Sequence, residues 1–270
     1  MQYMSRDEIH VEQLKMLRAF HEFCLKNGLR YSLIGGTLLG ACREGGFISW
    51  DDDVDVAMPR PDYDAFCSLS DRLPDNYRLL TFANSAWPQG FAKLQFMEVH
   101  AQEATLQGVI EEYLWIDVFP FDGASDDSGV RARKISRIQR TIRAISRRTY
   151  LPDPNDKTPK AFAKRLYHRL FGSSVAIGGL KKRLNDEFHS LDYEGSSLVC
   201  CYANGVHSAD MVVERSRFEQ TEPVRFEGLY LNRSLCFDDL LRGQFGTYWV
   251  PPPIEMRRAS HSYLAWRVVS

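Results

Sequence analysis

Between Trp50 and Val56 the chain reads Trp-Asp-Asp-Asp-Val-Asp-Val, four carboxylates within five consecutive positions beside an apolar pattern. Like charges at that density repel one another, so a fold that gathers them needs a cation among them. Read with the two-residue period of a strand, Asp51, Asp53 and Asp55 share one face, while Val54 and Val56 share the other, where a core can take them. Asp52 falls on the second face and is expected to be structural, paired with a nearby arginine. Three carboxylates on one face make a hard-oxygen site suited to Mg²⁺ or Mn²⁺. Upstream, Ile34-Gly35-Gly36-Thr37 ends an apolar segment on two glycines, which lets backbone N–H groups approach a phosphate at the start of the next helix. An acidic run alone is most often a solvated turn. A phosphate grip followed within one short segment by a metal grip points instead to phosphoryl transfer.

Periodicity places these motifs on a coarse frame. Ser5, Asp7 and Glu8 can start a helix whose apolar positions Val11, Leu14, Leu17, Phe20 and Cys24 recur every three or four residues up to Gly28, a core element. Tyr31 to Ile34 reads as a strand, Thr37 to Cys42 as a short helix, Val54 to Met58 as the strand carrying the acidic run, and Pro61 as the first turn of another helix. Further strands are expected at 77–82, 91–96, 114–119, 198–203 and 226–231, and a short helix at 237–241. Asp117 interrupts the apolar run Leu114-Trp115-Ile116-Asp117-Val118-Phe119, and a carboxylate buried there needs a cation or a hydrogen-bond donor. Phe121-Asp122-Gly123 reads as a turn, which makes Asp122 a poorer candidate for the site.

The segment from Ile34 to Met58 closely resembles the LicD family, whose eukaryotic relatives include fukutin and the fukutin-related protein, within the nucleotidyltransferase-fold superfamily. The resemblance rests on Gly35-Gly36-Thr37-Leu38-Leu39-Gly40-Ala41 before Arg43, on Gly46-Phe47-Ile48, on Trp50-Asp51-Asp52-Asp53 with Asp55, and on Pro59-Arg60 and Tyr63. Two family-like blocks follow, Ile116 to Gly123 and then Phe245-Gly246-Thr247-Tyr248 with Pro251-Pro252, Arg257 and His261. The chain departs from the family at Glu111 to Trp115, where a glycine-containing apolar lead-in is usual. The resemblance implies an α+β fold, a nucleotidyltransferase-like mixed β-sheet flanked by helices, in which Asp117 from an adjacent strand completes the carboxylate site. It also implies that Arg257 and His261 hold phosphate oxygens.

Charge is segregated along the chain. The formal net charge is −1, yet from Arg131 to Ser190 sixteen Lys and Arg face four acids, making that window +12 and the remainder −13. Ile135, Ile138, Ile142 and Ile145 give the first part of this window one apolar stripe among arginines, and a second amphipathic helix is expected around Phe162, Leu166 and Leu170. We therefore divide the chain into a catalytic core over 1–129, a basic helical insertion over 130–190, and a C-terminal part over 191–270 that completes the active site. The insertion suits an anionic membrane surface or an anionic lipid-linked glycan. Nucleic acid is not expected, because no nucleic-acid motif accompanies the charge. Six cysteines without metal-type spacing read as reduced thiols, and the N-terminus carries no basic-then-apolar leader. A cytoplasmic location follows, with contact at the inner face of the membrane.

The expected chemistry is transfer of a phospho-alcohol, phosphocholine-like or a polyol phosphate, from a CDP-linked donor to a hydroxyl of a cell-surface glycan or its precursor. Asp51, Asp53, Asp55 and Asp117 would hold the metal, with Asp53, Asp55 and Asp117 catalytic. Gly35, Gly36 and Thr37 would cradle the diphosphate, and Arg43 or Lys93 would neutralise its charge. The alternatives are a nucleotidyltransferase that uses a nucleoside triphosphate and releases pyrophosphate, and a catalytically silent binding protein.

Overall fold

A computed structural model of the chain describes residues 2–83, 87–103, 105–106, 110–152, 156–171, 177–257 and 263–267. Two short strands and a long helix begin it: β1 (Gln2–Tyr3), α1 (Arg6–Asn27) and β2 (Ser32–Leu33). Ser5 and Glu8 start α1 with a reciprocal capping box, and Gly28 ends it in the left-handed conformation. Then come α2 (Gly35–Arg43), β3 (Asp55–Pro59), α3 (Arg60–Ser68), β4 (Tyr77–Leu80), β5 (Ala92–Glu103) and β6 (Tyr113–Ala124). Three helices follow, α4 (Ser128–Thr149), α5 (Pro159–Phe171) and α6 (Ile177–Phe188). The chain closes with β7 (Leu198–Cys200), β8 (Val212–Glu214), α7 (Arg215–Glu219), β9 (Thr221–Phe226), β10 (Leu229–Ser234), α8 (Phe237–Phe245) and β11 (Tyr263–Arg267).

The fold is α+β. A mixed sheet runs in the order β1-β11-β5-β6-β3-β2, with β4 also on β5 and β7 on β6, and β8 continuing from β7. Among the described residues only β3 and β6 pair in parallel. That pair is buried on both sides of its backbone, as its Val, Ile, Phe and Ala content requires. Helix α1 lays Met16, Leu17, Phe20 and Cys24 against the sheet. Strands β7 and β11 bring the last third of the chain back onto β6 and β5. In α4 the isoleucine stripe is buried at Ile135, Ile138 and Ile145, and Arg137 ties the helix to Glu187 of α6 at 2.8 Å.

Two local expectations are corrected. Residues 121–123 do not turn, since β6 runs through to Ala124 where β7 pairs with it. Buried Asp122 is accommodated by the Arg60 guanidinium, whose Nε donates to its Oδ1 at 2.6 Å. The stretch 226–231 is not one strand: it holds the last residue of β9, a turn at Glu227 and Gly228, which both take positive φ, 47° and 80°, and the start of β10. Glu227 uses that turn to grip another loop, donating its N–H to the Gly45 carbonyl and accepting the Phe47 N–H.

Removing one partner of a buried ion pair leaves the other charge uncompensated. Arg60→Met should therefore cost about 3–5 kcal/mol in denaturant unfolding, and Arg60→Met/Asp122→Leu should recover most of it. A double variant as unstable as the single one would show that Arg60 matters through packing and not through Asp122.

Candidate active site

The glycine turn and the carboxylates are built against each other. Gly35 takes φ +59°, and a Cβ there would stand 2.5 Å from Asp55 Oδ2. A Cβ on Gly36 would overlap Asp51 Oδ2. Each glycine thus makes room for a carboxylate, beyond any approach to phosphate. Thr37 is buried, and its hydroxyl oxygen accepts the Asp55 N–H at 2.9 Å. It therefore orients Asp55 directly. Ile34 caps α2 without a side-chain hydrogen bond, so the first-turn N–H groups and the positive end of the helix dipole open beside the acidic cluster.

Parallel pairing of β3 with β6 sets Asp55 opposite Asp117 in register. Carboxylate oxygens of Asp53, Asp55 and Asp117 lie within 4.8 Å of one another, and a second such group joins Asp51, Asp52 and Asp53. The grouping of Asp52 differs from the strand-alternation reading, because β3 starts only at Asp55 and residues 51–54 are not strand. Burial and mutual repulsion together raise the carboxyls of the site. Burial, then the charge of Asp53 and Asp52, pushes Asp51 up to about 8 from an ordinary 3.8. Asp55 is driven well above the carboxylate range by burial and by Asp53, Asp117 and Asp51. A hard divalent cation fits this donor set: it is all carboxylate oxygen, crowded, and disfavoured as bare anions.

Backbone clamps from distant elements hold the acidic run in place. His10 on α1 meets the Asp51 carbonyl at 2.9 Å, and since a carbonyl only accepts, Nε2 carries the proton. The same ring stacks on Phe47 at 4.1 Å. Gln13, one turn further along α1, donates to the Asp52 carbonyl, and Tyr263 on β11 donates its hydroxyl to the same oxygen at 2.8 Å. Sequence reading assigned α1 to the core alone and missed these three residues. The available signal was a polar pair, His10 and Gln13, set three apart beside an apolar stripe.

A cavity of about 610 Å³ opens over Gly35, Gly36, Asp51, Asp53 and Asp55. Trp50, Arg43 and Leu39 form one part of its wall, and Asn204, His207, Gln244, Phe245 and Tyr248 form another. Arg43 reaches the cavity with its charge engaged by Glu44 at 2.8 Å and one nitrogen on the Tyr248 carbonyl. Arg257 stacks its guanidinium over Trp50 at 4.8 Å, beside the acidic run. Lys93 pairs with Asp117 in the β5–β6 register, but its ammonium is buried between Trp115 and Trp87 and bonded to Glu103 at 3.0 Å, off the cavity wall. His261 lies outside the described residues.

Because the fold raises the Asp51 pKa, the folded state holds that proton more tightly than the unfolded chain does. Ionisation of Asp51 therefore costs stability, progressively from about pH 4 to about pH 8. Without divalent metal, Asp51→Asn should stabilise by about 1–2 kcal/mol at pH 8 and leave pH 4 unchanged. Equal effects at both pH values would count against repulsion as the cause. Gly36→Ala should leave the fold cooperative in thermal unfolding but displace Asp51, lowering turnover by about 10²-fold. Wild-type turnover in that variant would show that Asp51 need not sit against the turn.

Comparison with known proteins bears on the whole chain. Residues 28–152 match the family model described as LicD/FKTN/FKRP, nucleotidyltransferase domain. Over 252 residues, 92% of each chain, the protein is 27% identical to the lipopolysaccharide cholinephosphotransferase LicD of Haemophilus influenzae. Uncharacterised proteins of Rickettsia prowazekii and Rickettsia typhi are each 40% identical over 48 residues, 18% of this chain. The matched domain holds the glycine turn, the acidic run and Asp117, and residues 28–152 form a domain of the LicD family, with similarity to a LicD protein over 92% of the chain.

Proposed function

We propose that the protein is a divalent-metal-dependent phosphotransferase that moves phosphocholine, or a similar phospho-alcohol, from a CDP-linked donor to a hydroxyl of a cell-surface glycan or its lipid-linked precursor. The observation that carries this reading is that Asp53 and Asp55 line one cavity beside the uncapped start of α2, with the Asp117 carboxylate grouped against them. The named activity of the Haemophilus influenzae relative supports it.

Mg²⁺ or Mn²⁺ held by Asp53, Asp55 and Asp117 would neutralise the donor's diphosphate and the charge that grows on the leaving CMP. Backbone N–H groups of Gly36 and Thr37 face the phosphate oxygens from the helix start. Arg257, mounted on Trp50, adds a guanidinium beside the acidic run. Trimethylammonium offers no hydrogen-bond donor, so it needs aromatic faces with negative charge nearby. Trp50, Phe245 and Tyr248 line the cavity together with Asp51 and supply both. The acceptor oxygen bonds to phosphorus as the bond to CMP breaks. Its proton passes to the Asp51 carboxylate, since Asp51 lines the cavity and stands outside the Asp53, Asp55 and Asp117 group.

Asp53→Ala, with its fold verified by circular dichroism, should lower CMP release from CDP-choline in the presence of Mg²⁺ and acceptor by at least about 10³-fold. Pyrophosphate release from a nucleoside triphosphate, with none of this CMP release, would select the nucleotidyltransferase alternative. Mg²⁺ should also raise the melting temperature more at pH 8 than near pH 5, since protons compete with it for Asp55, held well above the carboxylate range. An identical shift at both pH values would place the ion elsewhere.

A further inference from the structure

Helix α5 wears its faces reversed. At 3.6 residues per turn, Phe162, Leu166 and Leu170 form one row, with Ala163 and Tyr167 on its flank. In a helix that packs on a protein this row would face inward. Here it faces solvent: Phe162 is 65% exposed, Leu166 45%, Tyr167 52% and Leu170 66%. The opposite side makes the contacts, with Ala161 buried and Lys164, Arg165 and His168 half-buried. Arg165 reaches back to donate to the Asp156 carbonyl at 2.7 Å. The neighbouring helices behave normally, α4 burying its isoleucines and α6 burying Leu184 and Phe188.

Charge identifies what covers this row. From Lys157 to Phe171 there are five Lys and Arg and no acid. Lys160 and Arg169 are exposed and border the apolar arc, one on each edge. A second copy of α5 laid on the first would bring like charges together, so self-association is disfavoured and the partner is anionic. Thirteen residues give a helix roughly 20 Å long. That length, an outward apolar arc, cationic edges and a tyrosine at the margin are what a helix needs to lie in the plane of a bilayer surface. Among the described residues no helix is long and apolar enough to cross a membrane.

We propose that α5 is an interfacial helix that docks the protein on an anionic lipid bilayer, with Phe162, Leu166 and Leu170 seated below the headgroups and Lys160 and Arg169 on lipid phosphates. The inference narrows a basic region of some sixty residues to one helix, and it gives the lipid-linked acceptor of the proposed reaction a route to the cavity. It rests on that reading only for its purpose, because membrane binding is measured without catalysis.

The test is co-sedimentation of the full chain with vesicles of phosphatidylcholine, with and without phosphatidylglycerol. Wild-type protein should bind the anionic vesicles and not the neutral ones. Phe162→Ser/Leu166→Ser/Leu170→Ser should weaken binding by about 10²-fold, and Lys160→Gln/Arg169→Gln by about tenfold at low salt. Circular dichroism and CMP release with a water-soluble acceptor should match wild type in both variants. Binding that survives the triple substitution, or that ignores lipid charge, overturns the proposal. So does a wild-type dimer in sedimentation that the triple substitution dissolves, since a second copy would then be what covers the row. Loss of CMP release with intact vesicle binding would count against the proposed reaction and leave the docking helix standing.

Discussion

Repulsion among Asp51, Asp53, Asp55 and Asp117 is the constraint around which the catalytic half of this molecule is organised. Two of the four sit next to each other across a parallel strand pair, a register that is costly for like charges unless something nearby opposes it. The glycine turn admits the carboxylates by omitting two Cβ atoms, and the start of α2 sets its dipole beside them. Thr37 aligns Asp55 through its backbone, and His10, Gln13 and Tyr263 fix residues 51 and 52 by their carbonyls. None of these contacts neutralises charge. Together they hold the donors in place, and the remaining electrostatic cost is what a divalent cation and a diphosphate would relieve.

Among the described residues, three cations near the site have partners of their own. Lys93 stands opposite Asp117 on β5, yet it is drawn into a buried network with Glu103, Glu112 and two indole faces that ties the ends of the β5–β6 pair together. Arg60 is used on Asp122, further along β6. Arg43 is shared between Glu44 and a carbonyl. Asp51, Asp53 and Asp55 line the cavity, while most of the basic excess resides on α4, α5 and α6. A chain whose net charge is −1 therefore presents one anionic pocket and one cationic helical region. That separation fits an enzyme working on a charged donor next to an anionic surface.

Much of the site was legible in the sequence, because its parts are adjacent or follow simple periods. The two glycines, the acidic run and the strand containing Asp117 lie in short segments with strong patterns, and the parallel pairing of β3 with β6 brings the last of these to the first. Other features were hidden because they depend on pairing between distant segments. Asp122 looked like part of a turn until β7 extended the strand through it and Arg60 met its charge. Asp52 was assigned by strand alternation, which does not apply where the backbone has not yet entered a strand. Lys93 lies beside the site in register and still points its ammonium away from the cavity, a choice made by Glu103 and Glu112 and not by its own neighbours in sequence.

By itself the sequence determined the local chemistry: which carboxylates crowd together, where glycine opens a helix start, and which helices carry an apolar row. Those properties belong to a few consecutive residues, and propensity and period express them directly. Tertiary structure alone decided orientation. It turned the apolar stripe of α4 into the core and that of α5 out to solvent, although both read as amphipathic helices. It also recruited His10 from the first helix and Tyr263 from the last strand to hold the backbone of one acidic run. Such choices depend on which surfaces remain uncovered once the sheet has formed, and no window of sequence contains that information.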